Sequence, residues 1–331
     1  MNRPLRIGIL GAARITPAAL VYPAETVPDV ELTCVAARDR SRAEAFAAEH
    51  GIGSVLDDYA AVVAADVDAV YVPLPISAHE HWTLAALAAG RHVLCEKAIA
   101  NNAAEARRMA DAARASGRVL MEAFHYRYHP LFGRVVDLVA SGAIGELRQL
   151  DAEFCVPHIR PGDIRLDYAT GGGALMDLGC YCVHWLRHVT GREPTVTAAT
   201  AKVGPPDVDV TLTADLAFPA AAGGPATGRV HCSMDPDEPM RARLVLEGEA
   251  GRLTVTNPLA PQMGHELLLE NADGELREQV DRTPTYTYQL EAFAAAVRGA
   301  RTNLTDGEDA VRNMQAIDAI YAAAGLPLRG T

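Results

Sequence analysis

The chain has 331 residues, of which 49% are hydrophobic, and its formal net charge is −12. The length suits two domains, no apolar run approaches the roughly 20 residues of a membrane helix, and the acidic balance argues against nonspecific nucleic-acid binding, which needs a basic face. The start carries no signal-peptide pattern and the six cysteines show no CxxC spacing, so a reduced, cytoplasmic protein without a metal centre is expected.

Residues 5–10 (LRIGIL) predict a buried first strand, and the segment from Gly11 to Thr16 opens a helix after it. Small residues at such a turn let the backbone approach a pyrophosphate, and the helix N-terminus favours its charge. Of the GxGxxG pattern only Gly11 is kept. Ala13 and Thr16 take the other two places, with Arg14 and Ile15 between them. Alone, this also fits a tight turn in an unrelated α/β protein. Residues 30–36 (VELTCVA) predict a second strand, ending in Ala37, Arg38 and Asp39. A carboxylate there would accept from a ribose 2′-hydroxyl, whereas a guanidinium would take a 2′-phosphate. Arg38 and Arg42 favour NADP; NAD stays open because Asp39 is adjacent, and the bland alternative for Arg38 is a solvated loop charge.

Residues 69–73, 92–95 and 118–121 predict three further strands, with Ala-rich helices over 41–50, 58–65, 78–89 and 103–116. Strand–helix alternation of this kind implies a parallel, doubly wound sheet. Ligands bind beyond the carboxyl ends of its strands, where Glu96 and Lys97 end the fourth. Lys97 is a candidate site residue, set against the common fate of a surface lysine, and Glu96 makes burial of the pair plausible.

After about residue 123 the pattern changes. A helix over 131–140 is followed by strands at 208–218, 228–234, 241–247, 251–256 and 266–270, and helices at about 287–299 and 306–323 close the chain. In 208–218, Val208, Val210, Leu212, Ala214, Leu216 and Phe218 alternate with Asp209, Thr211, Thr213 and Asp215, as in a largely antiparallel sheet covered on one face. The stretch 219–228 reads as a loop. The expected domains are 1–123 and 124–331, with the closing helix free to pack back on the first.

Before those strands lies 171–188, GGGALMDLGCYCVHWLRH. Its glycines allow close backbone approach, and Asp177, Tyr181, His184 and His188 then follow at spacings that share one helix face. Three readings compete. Tyr181 could exchange a hydroxyl proton; a free phenol titrates near pH ~10, so it would need a nearby cation such as Lys97. His184 and His188, four apart like His125 and His129, could share an ion, although no third ligand is evident. Or the stripe is a set of satisfied core polar groups.

Six segments in order carry a resemblance: GILGAARI at 8–15, VPLP at 72–75 with His79, CEKA at 95–98, MEAFHYRYHP at 121–130, GGGALMDLGCYC at 171–182 and NMQAIDAIYAAAG at 313–325. On these the chain resembles the Gfo/Idh/MocA family (glucose–fructose oxidoreductase and inositol dehydrogenase) over essentially its whole length. The resemblance implies an α/β fold: an N-terminal Rossmann doubly wound parallel sheet plus a C-terminal α/β domain with an open, largely antiparallel sheet. It makes Lys97 the lysine of the family's Glu-Lys-Pro motif, Asp177 its helix aspartate, and Leu74, Pro75, His79, Glu96 and Arg127 candidate cofactor contacts. Tyr181 stands where the inositol dehydrogenase branch has His, as in the branch of dimeric dihydrodiol dehydrogenases and aldose (xylose) dehydrogenases. Ala98 replaces the proline that follows the motif lysine with a cis bond, and Ile76 stands where Asn is common. No N-terminal arm of the kind that retains cofactor in glucose–fructose oxidoreductase precedes the first strand, so exchangeable NADP is expected.

The activity implied is hydride transfer between nicotinamide and a hydroxyl or keto carbon of a sugar or vicinal diol. Tyr181 would take the hydroxyl proton, Lys97 would hold the oxygen beside it, and Asp177 would orient Lys97 or a second hydroxyl. Arg160, Arg165, Tyr168 and His184 are candidate substrate contacts. A catalytically silent sugar- or dinucleotide-sensing regulator, an NAD-dependent glycosidase and a metal-dependent lyase are the rivals. The Thr-bearing face of the second sheet (Thr211, Thr213) suggests a homodimer or a higher homo-oligomer.

Overall fold

A computed structural model describes residues 3–331 except 158, 205, 206, 222 and 223. By its contacts the chain forms two units. Unit 1 comprises residues 1–100, 104–128 and 284–311; unit 2 comprises 101–103, 129–283 and 312–331. Unit 1 therefore takes in more chain than a single cut at residue 123 would give it.

Unit 1 holds β1 (Leu5–Leu10), a π-helical turn (Pro17–Val21) running into α1 (Tyr22–Thr26), β2 (Val30–Ala36), α2 (Arg40–His50), β3 (Ser54–Val55), α3 (Tyr59–Ala64), β4 (Ala69–Val72), α4 (His79–Ala88), β5 (His92–Cys95), α5 (Ala103–Ser116) and β6 (Leu120–Glu122). All six strands are parallel, in the order β3-β2-β1-β4-β5-β6. The order reverses at β1, where an open α/β sheet leaves its crevice. Strands buried on both faces read as continuous apolar runs, as β1, β4 and β5 do. The core formed by Ile7, Ile9, Val35, Tyr71 and Leu94 also takes in Leu290 and Phe293, which arrive from the distant helix 285–297.

Unit 2 begins with α6 (Pro130–Ala140) and β7 (Leu147–Cys155), followed by α7 (Cys180–Thr190), whose first residues continue a π-helical turn at Leu175–Gly179. Then come β8 (Thr195–Gly204), β9 (Val208–Ala221), β10 (Gly224–Ser233), β11 (Arg241–Gly248), β12 (Gly251–Thr256), β13 (Glu266–Asn271) and β14 (Gly274–Glu278). They form one sheet in the order β14-β13-β12-β11-β7-β10-β9-β8. Only β7–β10 is parallel; the other pairs are antiparallel. Apolar Leu150, Ala152, Phe154, Val230, Cys232, Leu212 and Leu216 face the helical side, where Phe154 meets Tyr181 and Trp185 of α7 edge-on or tilted. The chain closes with α8 (Thr285–Val297), a unit 1 element, and α9 (Gly307–Ala323), whose residues belong to unit 1 up to Val311 and to unit 2 from Arg312.

Two expectations are corrected. The stretch 219–228 is not a free loop: β9 runs to Ala221 and β10 starts at Gly224, so most of it is hairpin. Asp209 does not face outward as strict alternation requires. Opposite β8 the register skips between Lys202 and Val203, leaving Val210 as an extra residue. Such a bulge breaks the two-residue period, and Asp209 is buried.

Candidate active site

In unit 1 the turn after β1 is built for a close backbone approach. Gly11 donates its N–H to Ala36 O at 2.7 Å and sits at φ +107°, a conformation that glycine alone adopts readily. A Cβ there would stand 3.2 Å from Leu74 Cδ2. Arg14 and Ile15 are exposed on the turn, while Thr16 is fully buried and its Oγ1 has no hydrogen-bond partner in the protein. Buried hydroxyls are nearly always paired, so an orphaned one at a helix start fits a phosphate oxygen. The residues present thus accommodate the pyrophosphate of a dinucleotide.

At the end of β2, Asp39 is engaged locally. Its carboxylate caps α2, accepting from Ser41 Oγ at 2.7 Å and Ser41 N at 2.9 Å. Those bonds, the side-chain one foremost, hold its carboxyl below the usual range. Arg38 is exposed, and Arg42 Nη2 donates to Ala12 O at 3.1 Å, tying α2 to the glycine turn.

At the end of β5 the peptide bond between Lys97 and Ala98 is cis. The ring nitrogens of His79 lie 3.0 Å from Ala98 O and 2.8 Å from Leu74 O, and the residue is 1% exposed. Burial lowers its pKa, against the pull of the carbonyls it faces. His79, expected at the cofactor, thus lies between the lysine loop and the end of β4. Glu96 is also held: its Oε1 accepts from Tyr71 OH at 2.7 Å, and burial, then the carboxylate, raises the phenol well above its usual range. Lys97 is half-buried, as are Leu74 and Pro75, and half-buried Arg127 follows β6 in a short 3-10 turn. Sequence reasoning missed Glu122, whose Oε1 accepts from Ile99 N at 2.8 Å and so steadies the same loop.

In unit 2, Gly171 and Gly173 have φ of +85° and +137°. A Cβ on Gly173 would collide with Asp209, and would stand 2.8 Å from Arg329 Nη2. Asp209 accepts from Leu175 N at 2.7 Å and Tyr321 OH at 2.9 Å, and forms a fully buried ion pair with Arg329. Arg329 Nε donates to Gly172 O at 2.7 Å, and its guanidinium lies between the rings of Tyr168 and Tyr321, 4.7 and 4.4 Å from their centroids. Asp209 and Arg329 were not anticipated from the sequence. Tyr168, expected at the substrate, packs on Arg329 and donates its hydroxyl to Leu328 O at 2.7 Å.

Asp177 lies in the π-helical turn, 3.1 Å from Arg165 Nε. Tyr181, on the first turn of α7, is 3% exposed and contacts the rings of Phe154 and Trp185. His184 is fully buried with its ring 4.1 Å from that of His188. Arg160 is exposed. His125 and His129 have separate tasks: His125 Nδ1 bonds Thr285 Oγ1 at 2.7 Å, and His129 caps α6.

Two family models match the chain. One, described as an oxidoreductase family with an NAD-binding Rossmann fold, covers residues 5–124; the other, the GFO/IDH/MocA C-terminal domain, covers residues 132–254. The chain is 37% identical to a D-xylose 1-dehydrogenase (NADP(+)) of Haloferax volcanii, over 97% of each protein. It is 35% identical to a dTDP-3,4-didehydro-2,6-dideoxy-alpha-D-glucose 3-reductase of Streptomyces violaceoruber, over 98% of this chain and 96% of that one. Among solved structures, a 3-ketoreductase from Actinomadura kijaniata in complex with NADP and TDP-benzene superposes with a TM-score of 0.87 at 30% identity, covering 97% of this chain and 98% of that one.

Proposed function

The chain belongs to the Gfo/Idh/MocA family of NAD-binding oxidoreductases, and from that premise we propose that it is an NADP-dependent dehydrogenase or reductase acting on a hydroxyl or keto carbon of a sugar. The observation that carries the reading is that the chain has both a lysine, Lys97, on a turn steadied by Glu122, and a tyrosine, Tyr181, on an aromatic-packed helix. A sensing protein has no use for a proton-exchanging phenol and an ammonium to assist it.

The nicotinamide, when bound, accepts or supplies the hydride. The protein binds, orients and moves the proton. Gly11, Ala13 and Thr16 take the pyrophosphate, Arg14 and Ile15 flank it, and Leu74, Pro75 and Arg127 border the cofactor. Arg38 takes the 2′-phosphate, a reading supported by the engagement of Asp39 in the α2 cap. Tyr181 exchanges the substrate's hydroxyl proton, and Lys97 favours the phenolate. Arg165 fixes Asp177, which with Arg160 orients further hydroxyls, while buried His184 supports the helix from within. The relatives divide between a free aldose and a nucleotide-linked keto-sugar as substrate, and the chain works as a cytoplasmic homodimer.

The experiment is to follow nicotinamide absorbance with NADP and NAD across aldoses, trans-diols and nucleotide-linked keto-sugars, then to repeat it with Tyr181→Phe. We expect turnover with NADP and a fall in kcat of about 10²–10⁴-fold in the variant, with NADP affinity kept. Unchanged turnover in Tyr181→Phe would remove the phenol from its role. Sugar release from aryl glycosides without net change in the cofactor would favour the glycosidase.

A further inference from the structure

We propose that Cys155, His231 and Glu238 form a binding site for a divalent cation of the zinc class on the outward face of the eight-stranded sheet. None of the three enters the reaction proposed above. Cys155 ends β7 and His231 lies on its parallel neighbour β10, where Ser233 stands beside Cys155 and His231 beside Glu153. Phe154 and Cys232, the intervening residues, pack on the helical side. Alternation therefore turns Cys155 and His231 to the opposite face. Glu238, from the turn between β10 and β11, folds back over them.

The donor atoms are already gathered. His231 Nε2 is 2.8 Å from Glu238 Oε2, the Cys155 thiol is 3.7 Å from the same oxygen, and all three ligand atoms lie within 4.8 Å of one another. A tetrahedral zinc with Zn–S of ~2.3 Å and Zn–N and Zn–O of ~2.0–2.2 Å spaces its ligand atoms by roughly 3.3–3.8 Å, so a small opening of the cluster admits the ion. Thiolate, imidazole and carboxylate suit zinc rather than magnesium or calcium. His231 Nδ1 lies 2.9 Å from Thr213 Oγ1. With the cation on Nε2, the ring hydrogen sits on Nδ1 and is donated to that hydroxyl, the outer contact that metal-bound histidines commonly make. The charges match: a thiolate and a carboxylate neutralise a dication. Without the ion, burial and then Glu238 push the Cys155 thiol up to about 12, so binding sends the thiol proton to solvent. In the single chain His231 and Glu238 are part-exposed, and a water would complete the coordination as fourth ligand. The bound ion would fasten the β10–β11 turn to the sheet.

The test uses the full chain, stripped with a chelator. It is titrated with Zn²⁺ against a chromophoric indicator and with Co²⁺ while the thiolate-to-cobalt charge-transfer band is recorded. We expect one equivalent per chain, a band that Cys155→Ser abolishes, and an affinity about 10–100-fold weaker in Thr213→Val. Glu238→Gln, on an exposed turn, covers the case in which Cys155→Ser does not fold, and it should weaken binding by at least as much. Binding below one equivalent, a charge-transfer band that survives Cys155→Ser, or wild-type affinity in Glu238→Gln would each overturn the site.

Discussion

Arg38 and Asp39 are neighbours with different tasks. Asp39 is bonded twice to Ser41 and caps α2, whereas Arg38 is exposed at the strand end. Charge-assisted hydrogen bonds contribute about 1.5–3 kcal/mol each. Arg38→Ala should therefore raise KM for NADP by roughly 10–100-fold and leave NAD kinetics nearly unchanged. Asp39→Ala should act on folding instead, as a lost helix cap, visible as a lower urea midpoint. If Asp39→Ala impaired NAD use without a change in stability, the carboxylate would belong to the ribose and the assignment would reverse. As candidates, Gly11, Arg38, Lys97 and Tyr181 were legible in the sequence by type and place. Their supports were not. Glu122 acts through Ile99 N, and His79 through two backbone carbonyls, contacts that exist only once the chain has folded.

At the scale of elements, α6 starts on a histidine rather than a hydroxyl or carboxylate. His129 Nδ1 accepts from Leu131 N at 3.0 Å, which it can do only when that nitrogen carries no proton. Burial lowers the pKa of His129. A histidine depressed in the folded state favours folding fully above its unfolded value of about 6.5, and that contribution disappears as pH falls through the lower folded value. The urea midpoint should thus fall as pH drops below about 6.5, and His129→Asn, which keeps a capping acceptor, should flatten that slope. An unchanged slope in the variant would assign the acid sensitivity elsewhere. Elements were most readable where the apolar pattern was regular. β1, β2 and β5 were found with their bounds. β7 was missed because its alternation breaks at Arg148, where the register against β11 skips a residue. β8 was missed because Thr and Ala fill it (TVTAATAKVG) and most of it is exposed. The two-residue β3 and the polar edge strand β14 hold one apolar residue each, too few to form a pattern.

Across the whole molecule, the pairings that fix each unit join residues far apart in the chain. Asp209 and Arg329 are 120 residues apart, yet together they hold the glycine turn before α7. Removing one partner of a buried pair leaves the other charge uncompensated, at about 3–5 kcal/mol. Arg329→Met should destabilise unit 2 by that amount in chemical denaturation, and adding Asp209→Asn should return part of it. A single variant as stable as the parent would mean the pair contributes nothing net. No local pattern announces such a partnership, because nothing near Asp209 in sequence is basic enough to suggest it. The interleaving of the chain has a further consequence for biosynthesis. Unit 1 is completed only by residues 284–311 and unit 2 only by 312–331, so neither interior can close while the ribosome is still making the first 283 residues. A nascent chain carries two unsealed apolar surfaces until those closing segments have been made, an exposure that a protein whose domains are completed one after the other avoids.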